Sequence, residues 1–298
     1  MKKSSARPFT SIAALLLALA LLFSACTGEP TAPAGAETYE LTILATNDLH
    51  GHIDTLPDYA AIIERVRGER AHVLLLDAGD LFRRGPHEEE RGAVELVQLN
   101  KMGYDALVLG NGDIKVPYDV DGKDRAEVLK DSEAQIANLA QWAQFPILCG
   151  NVTLQDTGAY MENILPYLLL KAGELTIGVI GVTNMQPAER KMAEAVGKDF
   201  VRGDRAVKQL LPEVRAGSDI QIVLSHASWS VDNRIKGVSA IIGGHDHKIL
   251  ENAKTKQGIP VTQGGGEDEH YLSRLDLTFA RIDGKWILQD SFGSLIEA

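Results

Sequence analysis

The segment Leu41-Thr-Ile-Leu-Ala-Thr-Asn-Asp-Leu-His-Gly-His52 couples an apolar run of strand length to a polar turn that carries Asp48 and His50. Four further segments repeat the plan: HVLLLDAGD (72–80) ends on Asp80, DALVLGNGD (105–113) carries Asn111, IQIVLSHAS (220–228) carries His226, and VSAIIGGHDH (238–247) carries His245 and His247. Apolar runs bounded by Gly, Asn and Asp read as buried strands ending in turns. A lone Asp or His after a strand is usually a turn former. Five such strand ends are hard to attribute to turns alone. They imply a cluster of oxygen and imidazole donors on one sheet edge, able to hold one or two divalent cations.

The chemistry expected of that cluster follows from the residue types. Alternate side chains of an extended chain point the same way, so Asp48 with His50, and His245 with His247, are each expected to converge on one ion. Gly79, Gly243 and Gly244 allow sharp turning and close backbone approach. Asp80 has two oxygens with which to bridge a pair of cations, and Asn111 offers a neutral carbonyl oxygen. Mixed carboxylate, amide and imidazole ligands favour Mn²⁺, Fe²⁺ or Zn²⁺ over Ca²⁺. Two such ions about 3.5–4 Å apart generate hydroxide near neutral pH and clamp a phosphoryl group, so the expected reaction is in-line hydrolysis of a phosphate ester. Asp77 and Asn47 are expected to orient ligands through hydrogen bonds. Asp54 and Asp246 read as solvated turn residues. Trp142, Trp229 and Trp286 read as core, with Trp229 also placed to line the cleft.

Around these segments strand and helix patterns alternate. Helical stretches are expected over 58–67 (stripe Ile62, Ile63, Val66), 89–102 (core face Val94, Val97, Leu99), 125–143 and about 205–214. FPILCGNV (145–152) reads as one strand. Hairpins are expected to turn at Ala172-Gly173-Glu174 and at Asp283-Gly284. Apolar strands separated by helices argue for a largely parallel interior, and the hairpins add antiparallel strands. The expected architecture is a two-sheet α/β sandwich with helices outside, an αββα arrangement over residues 39–298.

The N-terminus carries Lys2, Lys3 and Arg7, then the short apolar stretch 12–23, then Ser24-Ala25-Cys26. This is the pattern of a secretory signal over 1–25. Leu22-Phe23-Ser24-Ala25-Cys26 resembles the bacterial lipobox, which implies cleavage before Cys26 and its acylation. That would give a lipid bilayer as partner and a place in the cell envelope, facing the periplasm or the exterior. Residues 26–38 then form the lipidated Cys and a flexible tether rich in Pro, Gly, Ala and Thr. The signal carries three positive charges and no acids, so its removal moves the formal charge from −11 to −14. An acidic globule is a poor nucleic-acid binder, and bound cations would be needed to attract an anionic substrate. With Cys26 acylated, Cys149 alone remains, so no intramolecular disulfide forms. In FPILCG it reads as a buried small hydrophobe. Nothing in the sequence fixes an oligomeric state.

The motifs TNDLHGH, DAGD, MGYDALVLGN, FPILCGNV, LTIGVIGVTN, IVLSHAS, IIGGHDH and YLSRLDL, in this order, resemble the calcineurin-like metallophosphoesterase superfamily. More closely, they resemble the catalytic domain of the bacterial 5′-nucleotidase and UDP-sugar hydrolase family. The resemblance runs from about Tyr39 to Phe279. It implies a first metal surrounded by Asp48, His50, Asp80 and His247, and a second by Asp80, Asn111, His226 and His245. It also implies a small phosphorylated substrate.

Two departures stand beside it. The family motif Gly-Asn-His-Asp/Glu reads Gly110-Asn111-Gly112-Asp113 here, so the imidazole that contacts the phosphoryl group and assists the leaving group is missing. No catalytic acid is therefore assigned, and His52, His87 and His270 are weak substitutes. Such assistance is worth about 10²–10⁴-fold in rate. The second departure is length: the chain stops where the family's C-terminal substrate domain would begin. Glu267 to His270 form an acidic stretch that either disfavours polyanionic substrates or is a solvated loop. Beside a phosphoesterase, the sequence leaves open a degenerate metal-binding accessory or ligand-binding lipoprotein.

Overall fold

In β1 (Thr38–Thr46), Leu41, Ile43 and Ala45 point to one side and Leu44 to the other, and both sides are buried. A strand buried on both faces needs a layer above and a layer below, which is what forces a sandwich. The computed structural model describes residues 32–82, 84–114, 125–195, 197–266 and 269–297. The signal segment 1–25, Cys26, Glu267 and Asp268 lie outside the described residues.

After β1 come β2 (Val73–Asp77), β3 (Ala106–Val108), β4 (Ile147–Leu148), β5 (Val152–Leu154), β6 (Ile164–Leu165), β7 (Tyr167–Ala172), β8 (Leu175–Thr183) and β9 (Lys198–Phe200). The second half supplies β10 (Ile220–His226), β11 (Ala240–Gly243), β12 (Ile249–Lys254), β13 (Pro260–Gly266), β14 (Glu269–His270), β15 (Leu272–Ile282) and β16 (Lys285–Ile296). One sheet has the order β16-β15-β1-β2-β3-β4-β6, the other β12-β13-β11-β10-β8-β7 with β14 paired to β13. The centres are parallel: β1 with β2, β2 with β3, and β8, β10, β11 and β13 in succession. The hairpins β7–β8 and β15–β16 add antiparallel strands at the edges.

The core has three parts, as the alternation requires. Leu41, Ile43, Leu74, Leu76 and Val108 meet Ile177, Val179, Ile222, Leu224 and Ile242 between the sheets. On the outer face of the first sheet, Leu44, Leu75 and Leu107 pack on Tyr59, Ile63, Val66, Leu96 and Leu99 from the helices Leu56–Glu69 and Ala93–Met102. On the outer face of the second, Val182, Val223 and Ile241 pack on Val207, Leu211 and Val214 of the helix Gly203–Gly217. This is the αββα sandwich expected from the sequence.

The differences are local. FPILCGNV is two strands, because the chain leaves β4 at Cys149-Gly150 and re-forms as β5 against β9. Pro166 separates β6 in one sheet from β7 in the other, and the sheets are stitched here by Gly150 N–H to Gly181 O (2.8 Å) and Gly181 N–H to Pro166 O (3.2 Å). The helix expected over 89–102 begins at Ala93, after a 3₁₀ turn at Glu88–Glu90. Its core residues are Leu96 and Leu99; Val97 is 49% exposed, on the opposite face. Trp142, at the end of the helix Arg125–Trp142, is 59% exposed rather than core. Cys149 is buried as expected, and burial pushes its thiol up to about 12. Part of the stretch read as tether is tied down: Ala32 N–H donates to Gln289 Oε1, and Glu37 O accepts from Arg281 N–H.

Gly181 marks a close approach of the sheets, since a Cβ there would lie 2.3 Å from Leu148 Cβ. Gly181→Ala is expected to cost about 1–3 kcal/mol through overpacking. Chemical denaturation measures this, and an unchanged midpoint would mean the junction is looser than described.

Candidate metal centre

The loop after β1 and the loop after β2 are laced together by backbone. Asp48 N–H donates to Gly79 O (2.9 Å), His50 N–H to Asp80 O (2.8 Å) and Gly51 N–H to Leu81 O (2.6 Å). The second sheet is tied to the same place by the Asp48 carboxylate, which accepts His245 N–H at 2.8 and 3.1 Å. Asn47 completes the link: its Nδ2 donates to Asp48 Oδ2 and Gly265 O, and its Oδ1 accepts from Gly264 N–H. Asp77 holds the turn from behind, accepting from Thr46 Oγ1 and Gly79 N–H, and burial raises its carboxyl to about 7.

The structure brings six of the seven residues expected at this edge into one cluster, with Asn111 held between Gly110 and Gly112, both of which abut Asp80. Asp80 Oδ2 lies 3.7 Å from His50 Nε2 and 3.5 Å from His226 Nε2. His247 Nε2 lies 3.4 Å from Asp48 Oδ1 and 3.3 Å from His50 Nε2. Donor atoms of Asp48, His50 and His247 form one group within 4.8 Å, and those of Asp48, Asp80 and His226 a second. Asp48 thus stands in both groups, 3.9 Å from His226 Nε2, whereas the resemblance placed it with the first metal alone. His245 packs edge-on to His226 with ring centroids 5.1 Å apart, and Asn111 is buried alongside.

The route to this convergence differs from the extended alternation expected. Asp48 (φ 51), His50 (φ 48), Asp80 (φ 51), His245 (φ 82) and His247 (φ 49) all adopt left-handed backbone, five of the ten non-glycine residues described with positive φ. Conformations of this kind are costly for L-residues and concentrate where a site over-determines them. Gly79 (φ 88) is required beside them, because a Cβ there would lie 2.6 Å from Val108 O and 2.7 Å from Gly110 N.

Charge and orphaned atoms test whether cations fit. Burial raises Asp48 and Asp80, but His226, together with His247 on Asp48 and His50 on Asp80, outweighs it and holds both below the usual carboxylate range. Burial alone would lower His226. The two carboxylates reverse this and raise it to about 10, so a proton supplies positive charge that the pocket demands. Burial and His226 both hold His245 low, with its imidazole neutral and fit for ligation. His226 Nδ1 is engaged with Ala78 O at 2.7 Å, while its buried Nε2 has no hydrogen-bond partner among the described residues. Asn111 Nδ2 donates to Glu189 Oε1 at 3.3 Å, and its buried Oδ1 likewise has none. Donors about 2.1 Å from one ion stand roughly 3–3.5 Å apart in tetrahedral or octahedral shells. The separations of 3.3–3.9 Å among Asp48, His50, Asp80, His226 and His247 suit such shells better than hydrogen bonds. The residues fit divalent cations.

Three neighbours escaped the sequence reading. Asn184 Nδ2 contacts His245 Nε2 at 2.8 Å; it follows β8 and repeats the strand-end pattern, which was the available signal. Glu189 anchors Asn111 from the helix Pro187–Glu194, where it also accepts Gln186 N–H in a capping box. Gln186-x-x-Glu189 before a helix was legible as a cap, though not as a neighbour of the centre. Arg84 reaches His50 from the loop after Asp80, and nothing in its sequence context announced it.

Other expectations resolve individually. Asp54 is exposed, but Asp246 accepts Trp229 N–H at the start of the short helix Trp229–Asp232 and pairs with Lys248. Trp229 and Trp286 are partly buried against the core. His52 is exposed and His87 half-buried beside the 3₁₀ turn; the His270 side chain lies outside the described residues. At Gly112 the amide donates to Asp80 Oδ1 at 2.6 Å, and a Cβ would lie 2.8 Å from that oxygen. A histidine there would have to turn the Asp80 carboxylate aside.

Residues 41–249 match the family model for calcineurin-like phosphoesterases. The chain belongs to that family. It is 28% identical over 290 residues to the trifunctional nucleotide phosphoesterase protein YfkN of Bacillus subtilis, covering 86% of this chain and 19% of the relative. It is 28% identical over 243 residues to a 5′-nucleotidase of Bos taurus, covering 72% of this chain and 39% of the relative. The chain therefore spans less than half of either relative. The solved calcineurin-like phosphoesterase YfkN structure from Bacillus subtilis superposes with a TM-score of 0.68 at 22% identity, covering 88% of this chain and 91% of that one. A 5′-nucleotidase precursor from Thermus thermophilus gives 0.67 at 22% identity, covering 87% and 54%. Those two likenesses speak to the fold.

Within this calcineurin-like domain Asp113 is the clamp of the centre. Its carboxylate accepts Gly110 N–H (2.7 Å), Asp80 N–H (2.9 Å) and Phe82 N–H (3.1 Å), fixing the loops that carry Asp80 and Asn111. Asp113→Ala orphans three buried donors at about 1–3 kcal/mol each, so a loss of about 3 kcal/mol or more is expected by denaturant titration. A change below 1 kcal/mol would show that these loops hold their shape without it.

Proposed function

We propose that the protein is a metal-dependent phosphoesterase that hydrolyses small phosphate mono- or diesters, 5′-nucleotidase-like in its chemistry. The observation that carries this reading is the pair of orphaned buried atoms, His226 Nε2 and Asn111 Oδ1, in a cluster with Asp48 and Asp80 at the strand ends of a calcineurin-like domain. Its relatives, a nucleotide phosphoesterase and a 5′-nucleotidase, point to nucleotide-type phosphoesters as the substrate class.

Asp48, His50, Asp80, Asn111, His226, His245 and His247 would hold two divalent cations, Mn²⁺, Fe²⁺ or Zn²⁺. Such cations would supply a water that ionises near neutral pH and charge neutralisation for phosphoryl oxygens. The protein's own part is orientation. Ala78 O engages His226 Nδ1, which leaves Nε2 as the nitrogen that would bind a cation, and Glu189 engages the Asn111 amide nitrogen, which leaves its oxygen to do so. In the reaction the oxygen of water bonds to phosphorus and its proton leaves to solvent. The ester P–O bond breaks with its electron pair on the leaving oxygen, which takes a proton from solvent.

Gly112 supplies no acid for that last step. The enzyme should therefore favour leaving groups that need little protonation. We also propose that residues 1–25 act as a signal, that Cys26 is acylated, and that the domain from Tyr39 onward is displayed from a membrane of the cell envelope.

Two experiments test this. With Mn²⁺, the protein is expected to cleave an activated aryl phosphate or bis-aryl phosphodiester, alkyl phosphates far more slowly, and Asp80→Ala to abolish both. Bound metal without turnover would favour the accessory, ligand-binding alternative that Gly112 raises. For anchoring, Cys26→Ser should move the protein out of the membrane fraction; a variant that still pellets contradicts acylation.

A further inference from the structure

The segment after β8 supplies none of the seven cation donors, yet it touches two of them. Asn184 places its amide nitrogen 2.8 Å from His245 Nε2, and Glu189 Oε1 accepts from Asn111 Nδ2 at 3.3 Å. His245 and Asn111 both belong to the set that the resemblance gives to the second cation. In the other group, His247 is tied to its own members, with Nε2 3.4 Å from Asp48 Oδ1 and 3.3 Å from His50 Nε2.

The segment is built to hold still. Buried Asn151 pairs with the end of β8 much as a neighbouring strand would. Its Oδ1 accepts Thr183 N–H at 2.8 Å, and its Nδ2 donates to Thr183 O at 2.9 Å and to Val201 O at 2.8 Å. Just beyond, Gln186 N–H donates to Glu189 Oε2 at 2.8 Å in the capping box that starts the helix Pro187–Glu194. Between these two fixtures lie Asn184 and Met185, and Met185 is buried.

An imidazole gives a cation one nitrogen, and the partner of its other nitrogen decides which. At His245 the Asp48 carboxylate fixes the backbone by accepting its N–H, and Asn184 engages Nε2. Nδ1 is the nitrogen left to bind, which needs the ring proton on Nε2. A side-chain amide suits both states, since it offers nitrogen to a bare Nε2, as in this structure, and oxygen to a protonated one. At Asn111 Glu189 takes the amide nitrogen, and the buried Oδ1 has no hydrogen-bond partner among the described residues. We propose that Asn184 and Glu189 are positioning residues for the second cation. Asn184 holds His245 with its proton on Nε2 and Nδ1 free to bind, and Glu189 holds Asn111 with Oδ1 free to bind. This rests on the dimetal phosphoesterase reading above and says how one of its two sites is organised.

The test titrates Mn²⁺ into the metal-free full chain, with calorimetry reading affinity and stoichiometry and electron paramagnetic resonance reading whether ions are paired. The parent is expected to bind about two ions close enough to couple magnetically. Asn184→Ala should weaken the second ion alone, by about 10- to 100-fold, the usual worth of a partner behind a ligand. At intermediate Mn²⁺ the signal of an isolated ion then replaces that of a coupled pair. Glu189→Ala should do the same. Asn184→Asp should restore the second ion, because its carboxylate accepts the Nε2 proton. Parent-like binding in Asn184→Ala, equal weakening of both ions, or no recovery in Asn184→Asp overturns the proposal and leaves the phosphoesterase reading standing. A parent chain that binds no Mn²⁺ overturns both.

Discussion

Two buried carboxylates, Asp48 and Asp80, are packed 3.4–3.9 Å from three imidazoles, and the rest of the structure is arranged around their demand for positive charge. In an interior of low effective dielectric, uncompensated carboxylates either take up protons or gather cations. Here His226 is pushed up to about 10 and Arg84 leans over His50, two makeshift sources of positive charge. Divalent ions meet the same demand more fully, which ties folding of the loops to metal uptake.

The sandwich makes this arrangement affordable. Parallel strands from both sheets end at one rim, so each loop needs to carry only one or two donors. Left-handed backbone at five of them costs roughly 1 kcal/mol or more each. Asp113, Asn47 and Asp77 hold the loops through backbone and side-chain hydrogen bonds, and the three-part core beneath supplies a rigid base. Left-handed backbone at Asp48, His50, Asp80, His245 and His247 lies at the same rim as the orphaned atom of His226. Elsewhere in the described chain, β strands and helices follow their local sequence preferences closely.

Much of this was legible beforehand. Leu41–Ala45, Leu74–Leu76 and Ile222–Leu224 read as strands because both of their faces are apolar, and the seven donors read as a set because each sits at a strand end. The local route was not legible: Asp48-Leu49-His50 and His245-Asp246-His247 looked extended, yet they are left-handed turns that aim alternate side chains inward. Val97 and Trp142 illustrate a different limit, since helical periodicity cannot say which of two apolar stripes faces the core. Arg84 and Glu189 reach the centre through tertiary contacts that no local pattern encodes, whereas Asn184 repeats the strand-end pattern. Gly112 was seen as a gap, and the structure adds that the Asp80 carboxylate crowds it, so the lost imidazole left no empty niche.

The central claim is that these loops assemble a pair of cation sites, and metal stoichiometry tests it most directly. Elemental analysis of protein purified under metal-replete conditions and then freed of loosely bound ions should return about two divalent ions per chain. It should fall to near zero when Asp48 and Asp80 are both replaced by Ala. A parent protein that emerges metal-free, or a double variant that retains its ions, would contradict the account.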